Sequence, residues 1–135
     1  ARVTFADSMK RKQFQKGIQE LSEEGAIQVF KQLGIGVESL IIGAVGVLQF
    51  EVLEHRLKNE YGVGIRMQLL SHHHARWIGN PNLDPTKLTL TSSTIIATDG
   101  DNELVLLFEN EWGIEWTKDK NEGLELLDIK EKTNL

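Results

Sequence analysis

The sequence predicts an α+β protein with a ferredoxin-like sheet that carries its helices on one face, followed by a further α+β extension. Three observations support this prediction: the order of strand and helix patterns over residues 1–70, the apolar stripe on each of the two helices, and the short strand patterns that dominate the second half. A half-buried strand alternates apolar and polar side chains, whereas an amphipathic helix repeats apolar residues every three or four positions.

The chain begins with a strand pattern and a helix pattern. Residues 2–6 alternate apolar and polar side chains, and Asp7 or Ser8 is a typical helix N-cap. Residues 9–24 predict a helix, because their apolar side chains lie on one stripe at spacings of four and three: Phe14, Ile18 and Leu21. Gly25 is a typical residue for ending such a helix.

Three further strands and a second helix complete the first part of the chain. Residues 26–31 alternate, whereas residues 39–45 are almost all apolar, as is typical of a buried central strand. A second helix is expected from Gly46 to about Tyr61, and residues 64–70 predict a fourth strand. The turn between the second and third strands contains Gly34, Gly36 and Glu38. The apolar stripe of the second helix consists of Val47, Phe50, Leu53 or Glu54, Leu57 and Tyr61.

The order of these elements, β-α-β-β-α-β, is the split βαβ or ferredoxin-like arrangement, in which two helices cover one face of an antiparallel sheet. We therefore expect residues 1–70 to form the ferredoxin-like part and residues 71–135 to form a C-terminal α+β extension of the same domain. In the extension, strand patterns occur at residues 75–79, 94–98, 104–108 and 124–129. Residues 86–93 fit a short helix or a strand, and residues 109–121 fit a helix whose stripe includes Phe108, Trp112 and Trp116.

Composition excludes several kinds of protein. The 135 residues are 40% apolar and 26% charged, which provides enough apolar material for a core and argues against disorder. No run approaches the roughly 20 apolar residues of a membrane span. The lack of cysteine excludes disulfides and thiolate metal sites, and it fits a cytoplasmic location. The chain starts at Ala1 without the pattern of a signal peptide, which predicts a fragment of a longer protein.

Charge is distributed unevenly along the chain. The formal net charge of −5 argues against broad, non-specific nucleic-acid binding. Residues 1–20 nevertheless carry five cations against two acids, whereas residues 99–131 carry eleven acids against three lysines. A basic leading end on an acidic body fits a local contact with a polyanion, and two solvated faces of opposite sign are the alternative.

Three short patterns resemble known sites but fit structural roles better. Neighbouring side chains on a strand point to opposite faces, so His72, His73 and His74 fit a polar loop at a strand edge rather than one metal site. Residues 99–103 resemble the start of a calcium loop but lack its later ligands, which favours a tight turn. Residues 43–46 lack the phosphate-binding glycine patterns, which favours close packing of helix against sheet. We therefore expect no catalytic, metal-binding or nucleotide-binding residue in this chain.

The most informative feature is the basic start of the first helix. Three cations lie in its first turn, where the helix dipole favours acids, at a cost of about 0.3 to 1 kcal/mol each at low salt. Sequences break such local rules mainly at functional sites, and cations beside free helix N–H groups can face phosphates. A solvated basic patch is the alternative. The candidate residues for contact with a polyanion are Lys10, Arg11, Lys12 and Lys16, with Arg56 and Lys58 as weaker candidates.

Two blocks of sequence resemble a known family. They are KQFQKGIQELSEEGAIQVF (residues 12–30) and LIIGAVGVLQFEV followed by RLKNEY (residues 40–52 and 56–61). Both resemble the C-terminal domain, domain III, of bacterial peptide chain release factor 3, a family of translational GTPases related to elongation factor G. The likeness is dense over residues 5–70 and weaker to about residue 109. It departs from the family at residues 72–74 and 81–93.

The resemblance implies a function that no pattern in this chain shows by itself. It implies a parent protein that binds GTP and Mg²⁺ through an N-terminal GTPase domain outside this sequence. Such a factor promotes GTP-dependent dissociation of class I release factors from the ribosome in translation termination. The implied role of this chain is that of a non-catalytic, monomeric domain with no membrane partner. It would dock on small-subunit RNA or protein and couple to the GTPase domain of its own chain.

Other functions fit the same sequence. The chain can be domain III of another translational GTPase, such as an elongation factor. It can also be a free-standing ferredoxin-like module that binds a small ligand between helix and sheet. A metal enzyme built on His72, His73 and His74 is a more distant alternative.

Overall fold

The computed structural model of the chain describes residues 1–35 and 39–128. The chain forms two compact units, Ala1–Leu70 and Ser71–Leu135. Gly36 and Glu38 of the predicted turn, and residue 129 of the last predicted strand, lie outside the described residues. None of the helices in the described part of the chain is both long and apolar enough to cross a membrane.

The first unit is an antiparallel four-stranded sheet with two helices, which confirms the predicted α+β, ferredoxin-like class. Its elements follow the predicted order: β1 (Arg2–Phe5), α1 (Arg11–Glu23), β2 (Gln28–Gln32), β3 (Ser39–Gly43), α2 (Val47–Tyr61) and β4 (Ile65–Gln68). The strands pair in the order β4-β1-β3-β2, with Val3 of β1 opposite Leu40 on one side and Met67 on the other. Each helix therefore connects two strands that are separated by one other strand, as in a split βαβ unit.

The core of the first unit lies between the helices and the sheet. The helical residues buried in it follow the predicted stripes and are Phe14, Ile18, Leu21, Leu53 and Leu57. Val47 is an exception, because its side chain is 63% exposed. Val47 is the first residue of α2. It lies six positions before Leu53 and ten before Leu57, and neither spacing is a whole number of helical turns, so its side chain lies on a different face of the helix. The sequence left either Leu53 or Glu54 as a member of the apolar stripe. Glu54 is exposed, so Leu53 is the member of the stripe.

The two helices of the first unit meet at Gly17. A Cβ atom there would lie 2.6 Å from Leu57 Cδ2 and 3.0 Å from the Tyr61 ring, so any side chain would have to displace its neighbours. Further along, Arg56 reaches Glu24, just past the end of α1. Gly17 of α1 contacts Tyr61 of α2, and Glu24, which follows α1, contacts Arg56, which precedes Tyr61. The two helices therefore run antiparallel.

The second unit is an antiparallel sheet with one helix. Its elements are β5 (His74–Ile78), β6 (Ile95–Thr98), β7 (Leu104–Phe108), α3 (Glu111–Lys120) and β8 (Leu126–Leu127). The strands pair in the order β6-β7-β5-β8. Residues 86–93, which fitted either a helix or a strand, begin within a short 3₁₀ helix (Pro85–Lys87) and continue without a helix or strand.

Helix α3 packs with a different face from the predicted one. Asn110 caps it by accepting a hydrogen bond from the Gly113 N–H at 3.0 Å. Trp112 is 67% exposed, so the predicted stripe of Phe108, Trp112 and Trp116 is wrong. Phe108 is buried, but it belongs to β7, and a helical spacing counted from a strand residue does not continue into the helix. The buried residues of α3 are Gly113, Ile114 and Thr117.

Replacing Gly17 with valine is expected to destabilise the first unit by about 1 to 3 kcal/mol, because the added methyl groups would overpack the fully buried Leu57. The matched control is Gln13→Val, which places the same side chain at an exposed position of α1. Urea denaturation followed by far-ultraviolet circular dichroism measures both variants. Equal stability of the two would show that the fold does not depend on this close approach.

Candidate functional site

The basic start of α1 is built from a capped turn. Asp7 accepts a hydrogen bond from the backbone N–H of Met9 at 2.9 Å and caps a short 3₁₀ helix, Ser8–Lys10. Helix α1 then begins at Arg11, with Lys10 at its N-cap position and no side-chain cap. Lys10 therefore precedes the first turn of α1, in which the sequence pattern had placed it.

The cations of this start lie on accessible helix surface. The first turn of α1 contains no acid. Lys12 and Lys16 are exposed and lie one turn apart on the same face, and neither forms an ion pair with a described residue. Arg11 is exposed and Lys10 is half-buried. Because a helix N-terminus carries partial positive charge, these four cations add to a potential that favours phosphate oxygens.

The basic start of α1 extends beyond the C-terminal end of α2. Gly17 of α1 lies against Tyr61, the last residue of α2. Arg11 lies roughly 9 Å before Gly17 along the axis of α1, at 1.5 Å per residue, and so lies past the end of α2. A partner can therefore reach the cations without any movement of the two helices.

Arg56, one of the weaker candidates, is already engaged within the first unit. Its guanidinium donates to Glu24 at 2.9 and 3.1 Å and to Glu60 at 2.5 and 3.1 Å. These hydrogen bonds lower the pKa of both carboxyls and raise the pKa of Arg56. Lys58 is exposed and forms no ion pair with a described residue. Of the two weaker candidates, Lys58 is therefore the better placed to meet a phosphate.

The histidine and aspartate patterns occupy structural positions. The Nε2 atom of His72 lies 2.6 Å from the backbone oxygen of Ser93. The Asp99 carboxylate accepts hydrogen bonds from the backbone N–H groups of Asp101 and Glu103 at 2.9 and 3.0 Å, which confirms the predicted tight turn. Within residues 1–35 and 39–128, no group of three or more His, Asp or Glu side chains could hold a metal ion.

The turn before α2 differs from the predicted close packing of helix against sheet. A Cβ atom at Gly46 would meet nothing within 4 Å, so close packing does not explain this glycine. The side-chain oxygen of Gln49 accepts hydrogen bonds from the N–H groups of Val45 and Gly46 at 3.0 and 3.2 Å. These bonds occupy N–H groups that a phosphate would need. A Cβ atom at Gly43 would lie 3.3 Å from the Phe30 ring, but Phe30 belongs to the neighbouring strand β2, so this contact does not join a helix to the sheet.

Sequence patterns did not predict an exposed apolar group at the start of α2. Its members, which we call the apolar patch, are Val45, Val47, Leu48 and Val52. Their side chains are 96%, 63%, 73% and 53% exposed, respectively. The available signal was the spacing of Leu48 and Val52, which lie four apart but off the stripe of Leu53 and Leu57.

The fold and this geometry define a ferredoxin-like α+β module with cations at one end of its helical layer. Residues 1–118 match the model of a family described as the C-terminal domain of the class II release factor RF3. The chain is 46% identical over 124 residues to a peptide chain release factor 3 of Symbiobacterium thermophilum, covering 92% of this chain and 23% of that protein. It is 43% identical over 128 residues to a peptide chain release factor 3 of Staphylococcus aureus (strain USA300 / TCH1516), covering 95% of this chain and 24% of that protein.

The chain belongs to the family of release factor 3 C-terminal domains, which confirms the resemblance seen in its sequence blocks. This membership places it in protein biosynthesis, among the factors of translation termination. The chain spans less than a quarter of the length of these curated relatives, at 23% and 24%.

Replacing Arg56 with glutamine is expected to lower stability most at neutral pH. In the folded chain Glu24 and Glu60 have pKa values below the ordinary value of 4.5. The stabilisation that their ion pairs with Arg56 give the fold is therefore fully present above pH 4.5. It is lost as the pH falls through the lowered pKa values of the two carboxyls. The difference from the parent chain should shrink below about pH 4.5 in urea titrations.

The control for this substitution is Lys58→Gln, which removes the same charge from an exposed position of α2. It should change stability little at any pH, because Lys58 has no ion pair among the described residues. A loss for Arg56→Gln that stays constant across the acid range would contradict the role given to the two carboxylates.

Proposed function

We propose that this chain is the non-catalytic, ribosome-docking C-terminal domain of a release factor 3 GTPase. The observation that carries the proposal is the cluster of cations at the start of α1 in a member of this family. Ribosomal RNA is the polyanion that it faces, because phosphate oxygens accept hydrogen bonds from lysine and arginine. The contact residues are Lys10, Arg11, Lys12 and Lys16, with Lys58 as a weaker candidate and Arg56 held in its ion pairs.

In this proposal the domain contributes docking and coupling rather than chemistry. GTP and Mg²⁺ bind to a GTPase domain elsewhere in the parent chain, which is where hydrolysis takes place. The whole factor promotes GTP-dependent dissociation of class I release factors from the ribosome in the cytoplasm. Because α1 and α2 are tied together by close packing and by the Arg56 ion pairs, the first unit can transmit a displacement as a stiff body.

Two alternative functions fit the observations less well. An elongation factor domain would share the docking role, but the relatives that cover 92% and 95% of this chain are release factors. A free-standing module for a small ligand does not account for the family membership or for the basic start of α1.

The proposal is tested by the salt dependence of ribosome binding. In the full-length factor, loaded with a non-hydrolysable GTP analogue, Lys10, Arg11 and Lys12 are replaced by glutamine. Each cation that contacts a phosphate releases counterions on binding, so the slope of log affinity against log salt should fall by about 1 for each lost contact. Binding is measured by co-sedimentation at several salt concentrations.

The matched control replaces Lys31, Lys87 and Lys118 with glutamine, which changes the net charge by the same amount at other exposed positions. It should leave the slope close to that of the parent factor. An equal slope for the two triple variants would overturn the assignment of the RNA contact to the start of α1.

A further inference from the structure

We propose that the exposed face of α3 binds a basic segment of a ribosomal protein. This face, which we call the aromatic–acidic face, holds two tryptophans and two acids: Trp112, Glu115, Trp116 and Asp119. It lies in the second unit and uses none of the residues assigned to the RNA contact. The inference deepens the proposed function and rests on it, because it adds a contact with ribosomal protein to the contact of α1 with RNA.

The four side chains lie on one side of the helix. Counted from Trp112, the other three lie three, four and seven positions further on, which is the spacing of neighbours on a helix surface. The other side of α3 holds its buried residues, Gly113, Ile114 and Thr117. Ile114 belongs to the core of the second unit. The packing of α3 therefore turns the aromatic–acidic face away from that core.

Trp112 is the residue that most clearly points to a partner. Its side chain is 67% exposed, although tryptophan is highly buried on average. Its indole N–H donates to no residue that the structure describes, so this donor is open to a partner. Trp116, one turn further on, is half-buried and extends the aromatic surface. Tryptophan is enriched among the few residues that carry most of the binding energy of an interface.

Carboxylates surround the exposed indole. Glu115 and Asp119 are exposed on the same face, and Glu111 is exposed at the start of the helix. Glu115 lies 3.6 Å from Lys118, in an exposed pair of the kind that contributes little and that a partner can replace. Asp119 forms no ion pair with a described residue. A cation can therefore stack on Trp112 while its neighbours in the partner pair with the carboxylates.

The neighbouring ring shows the same chemistry within the chain. The ammonium group of Lys120 lies 5.8 Å from the centroid of the Trp116 ring, at the distance of a cation–π contact. No such contact with a described residue covers Trp112. An arginine or lysine of a partner would therefore make at Trp112 the contact that Lys120 makes at Trp116.

The charges select the kind of partner. RNA fits poorly, because its phosphates would face the carboxylates of Glu115 and Asp119. A second copy that used the same face would also fit poorly, because a two-fold interface would bring acids against acids. Ribosomal proteins bind RNA and therefore present clustered lysine and arginine. A ribosomal protein also gives a role to the acidic region of residues 99–131, which the RNA contact leaves without one.

Ribosome binding by the full-length factor, loaded with a non-hydrolysable GTP analogue, tests the inference. Trp112→Ala should weaken binding about tenfold or more, because a tryptophan at the centre of an interface carries a large share of the binding energy. The slope of log affinity against log salt should stay unchanged, because the indole carries no charge and releases no counterions. The control Leu69→Ala removes another exposed apolar side chain, outside the face, and should bind like the parent factor.

A second measurement identifies what lies on the face. A photocrosslinking aromatic residue replaces Trp112 in the full-length factor, and we expect it to crosslink to a ribosomal protein. Crosslinks to ribosomal RNA, within the factor or to a second molecule of the factor would assign the face to that partner and overturn the inference. Equal affinity of Trp112→Ala and Leu69→Ala for the ribosome would overturn it as well.

The test also separates this inference from the proposed RNA contact. A reduced salt slope for the variant with Lys10, Arg11 and Lys12 replaced, together with full affinity of Trp112→Ala, would remove only the contact of α3. An unchanged salt slope for that variant, together with weaker binding of Trp112→Ala, would remove only the RNA contact. A parent factor that does not bind ribosomes would remove both.

Discussion

The close crossing of α1 and α2 at Gly17 is the constraint on which the rest of the first unit depends. Because Gly17 has no side chain, the side chains of Leu57 and Tyr61 on α2 can pack directly against the backbone of α1. Polar contacts fix the crossing: Tyr61 donates to Glu20 at 2.8 Å, and Arg56 donates to Glu24 at 2.9 Å. The bond to Glu20 raises the pKa of Tyr61 to about 12, because it stabilises the protonated hydroxyl.

This crossing explains how one small unit can offer two unlike surfaces. The helices run antiparallel and overlap only in part, so the start of each extends past the end of the other. The start of α1 is basic and the start of α2 is apolar. A displacement at one end of this packed layer moves the other end, because close-packed interiors deform little.

Local periodicity was enough to predict the first unit, because one buried face fixes the spacing of Phe14, Ile18 and Leu21. Features that depend on distant contacts were not predictable. Arg56 and Glu24 are 32 positions apart, and no sequence pattern links them. The exposure of the apolar patch likewise depends on where α1 ends in space. In the second unit the stripe through Trp112 failed because it was counted from a strand residue, across a change of secondary structure.

The most direct measurement is photocrosslinking from the basic start of α1. A crosslinking residue replaces Gln13, an exposed neutral neighbour of Lys12, in the full-length factor. With ribosomes and a non-hydrolysable GTP analogue, we expect position 13 to crosslink to ribosomal RNA or protein. Crosslinks from position 13 that stay within the factor would contradict the claim that the basic start of α1 docks on the ribosome.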